Sequence, residues 1–82
     1  MAKKAKRLVK LTFPQGLIKK PIIFTMAMKY NVVPNIRRAK VTEEVGEMVL
    51  ELEGEGNNLE KGIAYLHKTG VIVEPLLGDI IE

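Results

Sequence analysis

The chain has 82 residues, a formal net charge of +3 and no cysteine. That length fits one domain, and a domain this small buries only about 60–65% of its unfolded surface, so its core is marginal. Without cysteine, disulfides, thiolate metal sites, iron–sulfur ligation and cysteine nucleophiles within the chain are excluded.

His67 is the one histidine, too few for a zinc site built on imidazoles. Serine is absent, which removes the serine triad. No apolar run approaches the roughly 18–20 residues of a membrane span. The N-terminal MAKKAKRLVKL is charged but lacks the long apolar stretch of a secretory signal. A cytoplasmic protein without membrane insertion is expected. Lys3, Lys4, Lys6 and Arg7 supply four positive charges in the first seven residues, and the remaining residues sum to −1. The basic character thus belongs to an N-terminal arm, residues 1–5 being read as flexible. A nucleic-acid binder needs a basic folded body with stacking aromatics. This chain has only Phe13, Phe24, Tyr30 and Tyr65, so no nucleic-acid partner is expected.

From Lys6 to Phe13 the residues alternate, with Val9, Leu11 and Phe13 on one side and Leu8, Lys10 and Thr12 on the other, which predicts a half-buried strand. Pro14-Gln15-Gly16 breaks it. Pro21 suits the first turn of a helix that runs to about Tyr30. Ile22 with Met26, and Ile23 with Ala27 and Tyr30, form its apolar face. A second strand spans Val32 to Thr42. Glu43 to Gly46 reads as a hairpin connection in which Gly46 supplies the permissive backbone. EMVLELEG alternates again, Met48, Leu50 and Leu52 against Glu47, Val49, Glu51 and Glu53. Gly54-Glu55-Gly56 reads as a loop, and Asn57 or Asn58 as the cap of a second helix with Leu59, Ile63 and Leu66 buried. Gly70 stops that helix. VIVEP is the last strand, ended by Pro75, and residues 77–82 form a tail after a folded body of residues 6–76.

The order β-α-β-β-α-β predicts an α+β, ferredoxin-like fold: a four-stranded antiparallel sheet in order 4-1-3-2 with two helices on one face. On the open face Leu8, Lys10 and Thr12 meet Glu47, Val49, Glu51 and Glu53, with Ile36, Arg38 and Lys40 on the far flank. Those charges read either as cross-strand pairs of a few tenths to about 1 kcal/mol each, or as a docking face for a partner protein. Nothing assembles a nucleophile, a base and an oxyanion hole, so no catalytic residue, metal or cofactor is expected. His67 reads as a charge favouring a helix C-terminus. Gly54-Glu55-Gly56 is no dinucleotide fingerprint, because it lacks the third glycine and Glu55 would repel phosphate.

RLVKLTFP, KPII, VVPNIRRAKV, MVLELEGE and GIAYLHKTGVIVEPL together resemble the NIL domain family from Arg7 to Leu76. The Asn-Ile-Leu core that names the family reads Asn35-Ile36-Arg37 here, with arginine in place of leucine. The resemblance implies a ferredoxin-like, ACT-like regulatory domain, as at the C-terminus of methionine-importer ATPases, where it pairs across a dimer interface and binds methionine to inhibit transport. The family asparagine of the methionine site corresponds to Asn35. Similar segments also stand in front of ferredoxin modules, ending in a stretch like VEPLLGDIIE before the first cluster cysteine, in proteins of sulfur amino-acid metabolism. The chain is therefore read as a stand-alone relative or as the NIL part of a longer protein.

Two functions follow as expectations. One is a non-catalytic, homodimeric domain binding methionine or a related sulfur amino acid through Asn35, Ile36, Arg37 and Arg38. Asn35 would hold the ligand's amino or carboxylate group, Ile36 would shape the site, and Arg37 or Arg38 would pair with a carboxylate. The other is an accessory module for a ferredoxin or sulfur-transfer partner, docking on the open face or the second-strand edge. The plain alternative for Asn35 is a strand-start residue bonding its own backbone after Pro34. Alternation from Asn35 would turn Asn35, Arg37, Ala39 and Val41 toward the helices and Ile36, Arg38 and Lys40 to the open face.

Overall fold

A computed structural model describes residues 4–76 of the chain. Strands and helices follow in the order β1 (Lys4–Phe13), a short 3-10 turn (Gln15–Leu17), α1 (Ile22–Tyr30), β2 (Val33–Val41), β3 (Gly46–Glu55), α2 (Gly56–Thr69) and β4 (Ile72–Pro75). The sheet is β2-β3-β1-β4, and every pairing in it is antiparallel. This is the expected ferredoxin-like arrangement.

The alternation of β1 and β3 does what its pattern predicts. Val9, Leu11 and Phe13 of β1 and Leu50 and Leu52 of β3 are buried beneath the helices. Ile22 and Met26 from α1 and Leu59 and Leu66 from α2 close the layer, with Val32 and Val71 at its margins. No polar or charged side chain is buried among the described residues, so this core depends on hydrocarbon burial alone. The helices meet where Gly62 faces Met26: a Cβ at Gly62 would stand 3.0 Å from the Met26 sulfur.

Several local expectations are corrected. Pairing of β1 begins at Lys4, opposite Glu55, two residues before the apolar alternation becomes visible. Residues 1–3 of the expected arm and the expected tail, 77–82, lie outside the described residues. The β2–β3 turn does not depend on Gly46, which already belongs to β3 and has no positive φ. Thr42 holds the turn instead. Its hydroxyl oxygen accepts from the backbone N–H of Glu44 (3.2 Å) and of Val45 (3.0 Å), and the Thr42 N–H donates to the Val45 carbonyl at 2.8 Å. The Gly54-Glu55-Gly56 loop does not exist: the first two residues end β3 and the third begins α2. Asn57 and Asn58 therefore lie inside the first turn, and Glu55 takes the cap position without a side-chain hydrogen bond.

Gly54 has a different task. A Cβ there would meet the Asn31 backbone carbonyl at 3.3 Å, and backbone cannot swing aside as a flexible side chain can. Gly54 thus permits the α1–β2 connection to lie against β3. Asn31 forms that connection with φ 58°, and Val32 N–H bonds back to the Ala27 carbonyl at 3.1 Å. Asparagine tolerates this left-handed conformation better than most residues. Gly54→Ala is expected to lower stability by about 1–3 kcal/mol through overpacking, whereas Gly56→Ala, with nothing within 4 Å of its Cβ, stays within about 1 kcal/mol of the parent. Urea denaturation of both variants checks this; equal effects would contradict the role given to Gly54.

Candidate ligand-binding site

β2 is the outermost strand on its side of the sheet. From Asn35 to Val41 each of its residues is exposed. On the open face no helix covers the strand, and on the helix side the cause is a mismatch of lengths. α1 has nine residues, so it extends about 13.5 Å at 1.5 Å per residue. The strand returning beside it rises about 3.3 Å per residue, so the helix spans about four strand residues. Cover therefore ends near Ile36. A hollow of about 270 Å³ opens there, and most of its exposed lining is apolar. The start of α1 forms one wall with Pro21, Ile22 and Ile23, and β2 supplies Ile36 and Val41.

The ladder between β2 and β3 shifts at Arg37. Ile36 stands opposite Leu50 and Arg38 opposite Val49, so Arg37 is an extra residue in the strand. Such a bulge resets the alternation of side chains. The expected facing is therefore corrected. Asn35 pairs with Glu51 on the open face, while Ile36 pairs with the buried Leu50 on the helix side. Beyond the bulge Ala39 and Val41 return to the helix side and Arg38 and Lys40 to the open face, as expected. Arg37 was expected toward the helices, but its Nη2 donates to the open-face Glu51 Oε1 at 2.8 Å.

The four sequence candidates are thus divided by the sheet. Ile36 lines the hollow. Asn35, Arg37 and Arg38 belong to the opposite face, one strand's thickness away. Among the described residues Arg37 is the arginine held in an ion pair, which leaves Arg38 without a carboxylate within 4 Å. The Asn35 amide makes no hydrogen bond with another described residue. The hollow's other wall, at the α1 start, was not read as part of a site. Its signal was the Lys20-Pro21-Ile22-Ile23 run itself, an apolar helix start with nothing obvious to cover it.

The acid–base alternation of the open face is present in register: Lys6 lies opposite Glu53, Lys10 opposite Glu74 and Lys40 opposite Glu47. Among the described residues the one ion pair within 4 Å is Arg37–Glu51. No grouping of three potential metal ligands occurs among the described residues, and no described helix is long and apolar enough to cross a membrane. His67 is exposed in the last turn of α2, where positive charge suits the helix terminus.

The profile of the NIL domain family matches residues 7–75. The chain belongs to the NIL domain family. It is 29% identical over 79 residues to the methionine import ATP-binding protein MetN of Halalkalibacterium halodurans, a match covering 92% of this chain and 23% of that protein. It is 28% identical over 71 residues to methionine import ATP-binding protein MetN 1 of a Bacillus cereus strain, covering 82% and 20%. The chain thus spans about a fifth of the length of these relatives. The C-terminal domain of an ABC transporter ATP-binding protein from Enterococcus faecalis superposes with a TM-score of 0.76 at 26% identity, covering 88% of this chain and 84% of that one. The shared fold is therefore that of a domain found at the end of an ATP-binding subunit.

The Arg37–Glu51 pair is solvent-accessible, at 53% and 23% side-chain exposure. A double-mutant cycle with Arg37→Ala and Glu51→Ala should give a coupling of about 0.2–1 kcal/mol that shrinks with added salt. A coupling above about 2 kcal/mol, insensitive to salt, would contradict this reading of an exposed pair.

Proposed function

We propose that this NIL domain is a non-catalytic, cytoplasmic regulatory module that binds methionine or a related sulfur amino acid at the β2 edge and acts as a pair of copies. The observation that carries the reading is the hollow at Ile36 beside an uncovered edge strand. At about 270 Å³ it falls just below the roughly 300–1,000 Å³ of sites for drug-sized ligands, a size suited to one amino acid. Its apolar walls suit a thioether chain. A free edge offers N–H donors and C=O acceptors, which complement the carboxylate and ammonium groups of an amino acid.

Each candidate residue then has a role. Ile36 and the α1 start hold the side chain. The Asn35 amide both donates and accepts, so it reads an amino or carboxylate group across the edge. Arg38 pairs with the carboxylate, while Arg37, the extra residue of the bulge, is held by Glu51. The methionine-import relatives support the ligand class. Pairing of two copies through β2 would cover Val33, Ile36 and Val41, each exposed at more than half of its surface. An exposed edge with apolar side chains is a site for strand addition.

The same bare edge supports a second reading, in which a ferredoxin or sulfur-transfer protein adds its own strand there. Isothermal titration separates the two. Methionine or homocysteine should bind at or below millimolar concentration. Asn35→Ala and Ile36→Asp should each remove most of the heat while leaving the thermal midpoint nearly unchanged, because both positions are exposed. Absence of binding by either amino acid at millimolar concentration overturns the ligand, and a collapse of the midpoint in Asn35→Ala returns that residue to a structural role.

A further inference from the structure

A second hollow lies between the end of α1 and α2 and shares no lining residue with the first. It encloses about 580 Å³ and is lined by Lys29, Tyr30, Lys61, Tyr65, Lys68 and Thr69, together with Ala64. Three lysines thus contribute to its lining, and no carboxylate residue does. None of the three lysines has a carboxylate within 4 Å among the described residues. The two tyrosine rings pack together with centroids 5.7 Å apart and planes tilted by 53°. The Lys29 ammonium stands 5.6 Å from the centroid of each ring.

The arrangement comes from both helices. Lys61, Tyr65 and Lys68 recur at four- and three-residue intervals and so share one face of α2. Lys29 and Tyr30 are the last two residues of α1. Helix C-termini favour Lys29 and Lys68 singly. They do not account for the meeting of those two with the mid-helix Lys61 around a pair of packed rings. Two electron-rich rings hold the Lys29 ammonium in place through cation–π attraction, and Lys61 and Lys68 line the same hollow. Like charges that share one hollow repel each other, and a multiply charged anion bound among them offsets that repulsion.

We propose that this cleft binds a polyphosphate group, with the three lysines as its charge partners and the tyrosine hydroxyls as further donors. Lysine acts toward phosphate as a compact point charge, and three of them match an extended anion better than a single carboxylate. The rings also offer a surface for an aromatic base, so a nucleoside triphosphate and an inorganic polyphosphate share the required chemistry. This site is separate from the β2 hollow, and its failure leaves the amino-acid reading untouched.

Tyr30 and Tyr65 are the only tyrosines, and the chain has no tryptophan. Intrinsic tyrosine emission therefore reports on this cleft alone. Titration of the 82-residue chain with inorganic tripolyphosphate at low salt should change that emission saturably. Removing one charge-assisted contact should weaken binding about tenfold or more, so Lys61→Gln and Lys68→Gln should each shift the midpoint by that factor and the pair by more. Lys19→Gln, remote from the cleft, should not shift it. A metal-free adenosine triphosphate titration distinguishes the sources: tighter binding than tripolyphosphate identifies a stacked nucleotide, and equal binding identifies the phosphate chain alone. Three results overturn the proposal: no change in emission; the same change with sulfate at matched ionic strength; or equal weakening in Lys19→Gln. Far-ultraviolet circular dichroism of each variant establishes that the fold is kept.

Discussion

α1 rises about 1.5 Å per residue and the strand beside it about 3.3 Å, and this difference decides how much of the helix side of β2 is left bare. Pro21 stands at the start of α1 and Asn31 ends it in a left-handed turn, so the helix is confined to nine residues. β2, also nine residues long, runs beyond it. The uncovered remainder carries Ile36 and Val41 on one face and Arg38 and Lys40 on the other. The core does not depend on this stretch, since no residue from Val33 to Val41 is buried. A strand that contributes so little to the core is free to serve an interaction.

The bulge gives that strand its chemical variety. Without the extra residue at Arg37, regular alternation would keep Ile36 in phase with Arg38 and Lys40. With it, Ile36 faces the hollow while both arginines face the open side. Arg37 is held by Glu51, and Arg38 has no carboxylate within 4 Å among the described residues. The proposed amino-acid site therefore uses the strand from both faces and along its edge, which suits a ligand with one apolar arm and two charged groups. The polyphosphate cleft belongs to the other layer, where α1 and α2 meet, so the two proposed sites are physically independent.

Much of the fold was legible because the buried strands carry clean period-two patterns. Val9, Leu11 and Phe13, and Leu50 and Leu52, could face only one core, and the order of elements then fixed the topology. The edge strand was less legible for the same physical reason that makes it useful. With no face fully buried, side-chain pattern does not constrain its register, so the bulge left no mark in the sequence. The turn is less legible because the Thr42 hydroxyl holds it, and threonine is a weaker turn signal than the nearby Gly46. Gly54 and Gly56 looked like a loop, but one admits a backbone carbonyl and the other simply begins a helix. Of the proposed site, Asn35 is named through resemblance, whereas Arg37 and Arg38 are read from their charge, Arg37 standing where the family has leucine. The Ile22–Ile23 wall was not, because the end of helix cover depends on comparing two element lengths in space.

The central claim is that a sulfur amino acid occupies the uncovered part of β2. Backbone hydrogen–deuterium exchange, followed residue by residue with and without saturating methionine, tests it most directly. Slower exchange is expected from Asn35 to Val41 and at the start of α1, with little change in the middle of α2. Unchanged exchange along β2 at saturation, or protection confined to α2, would contradict it.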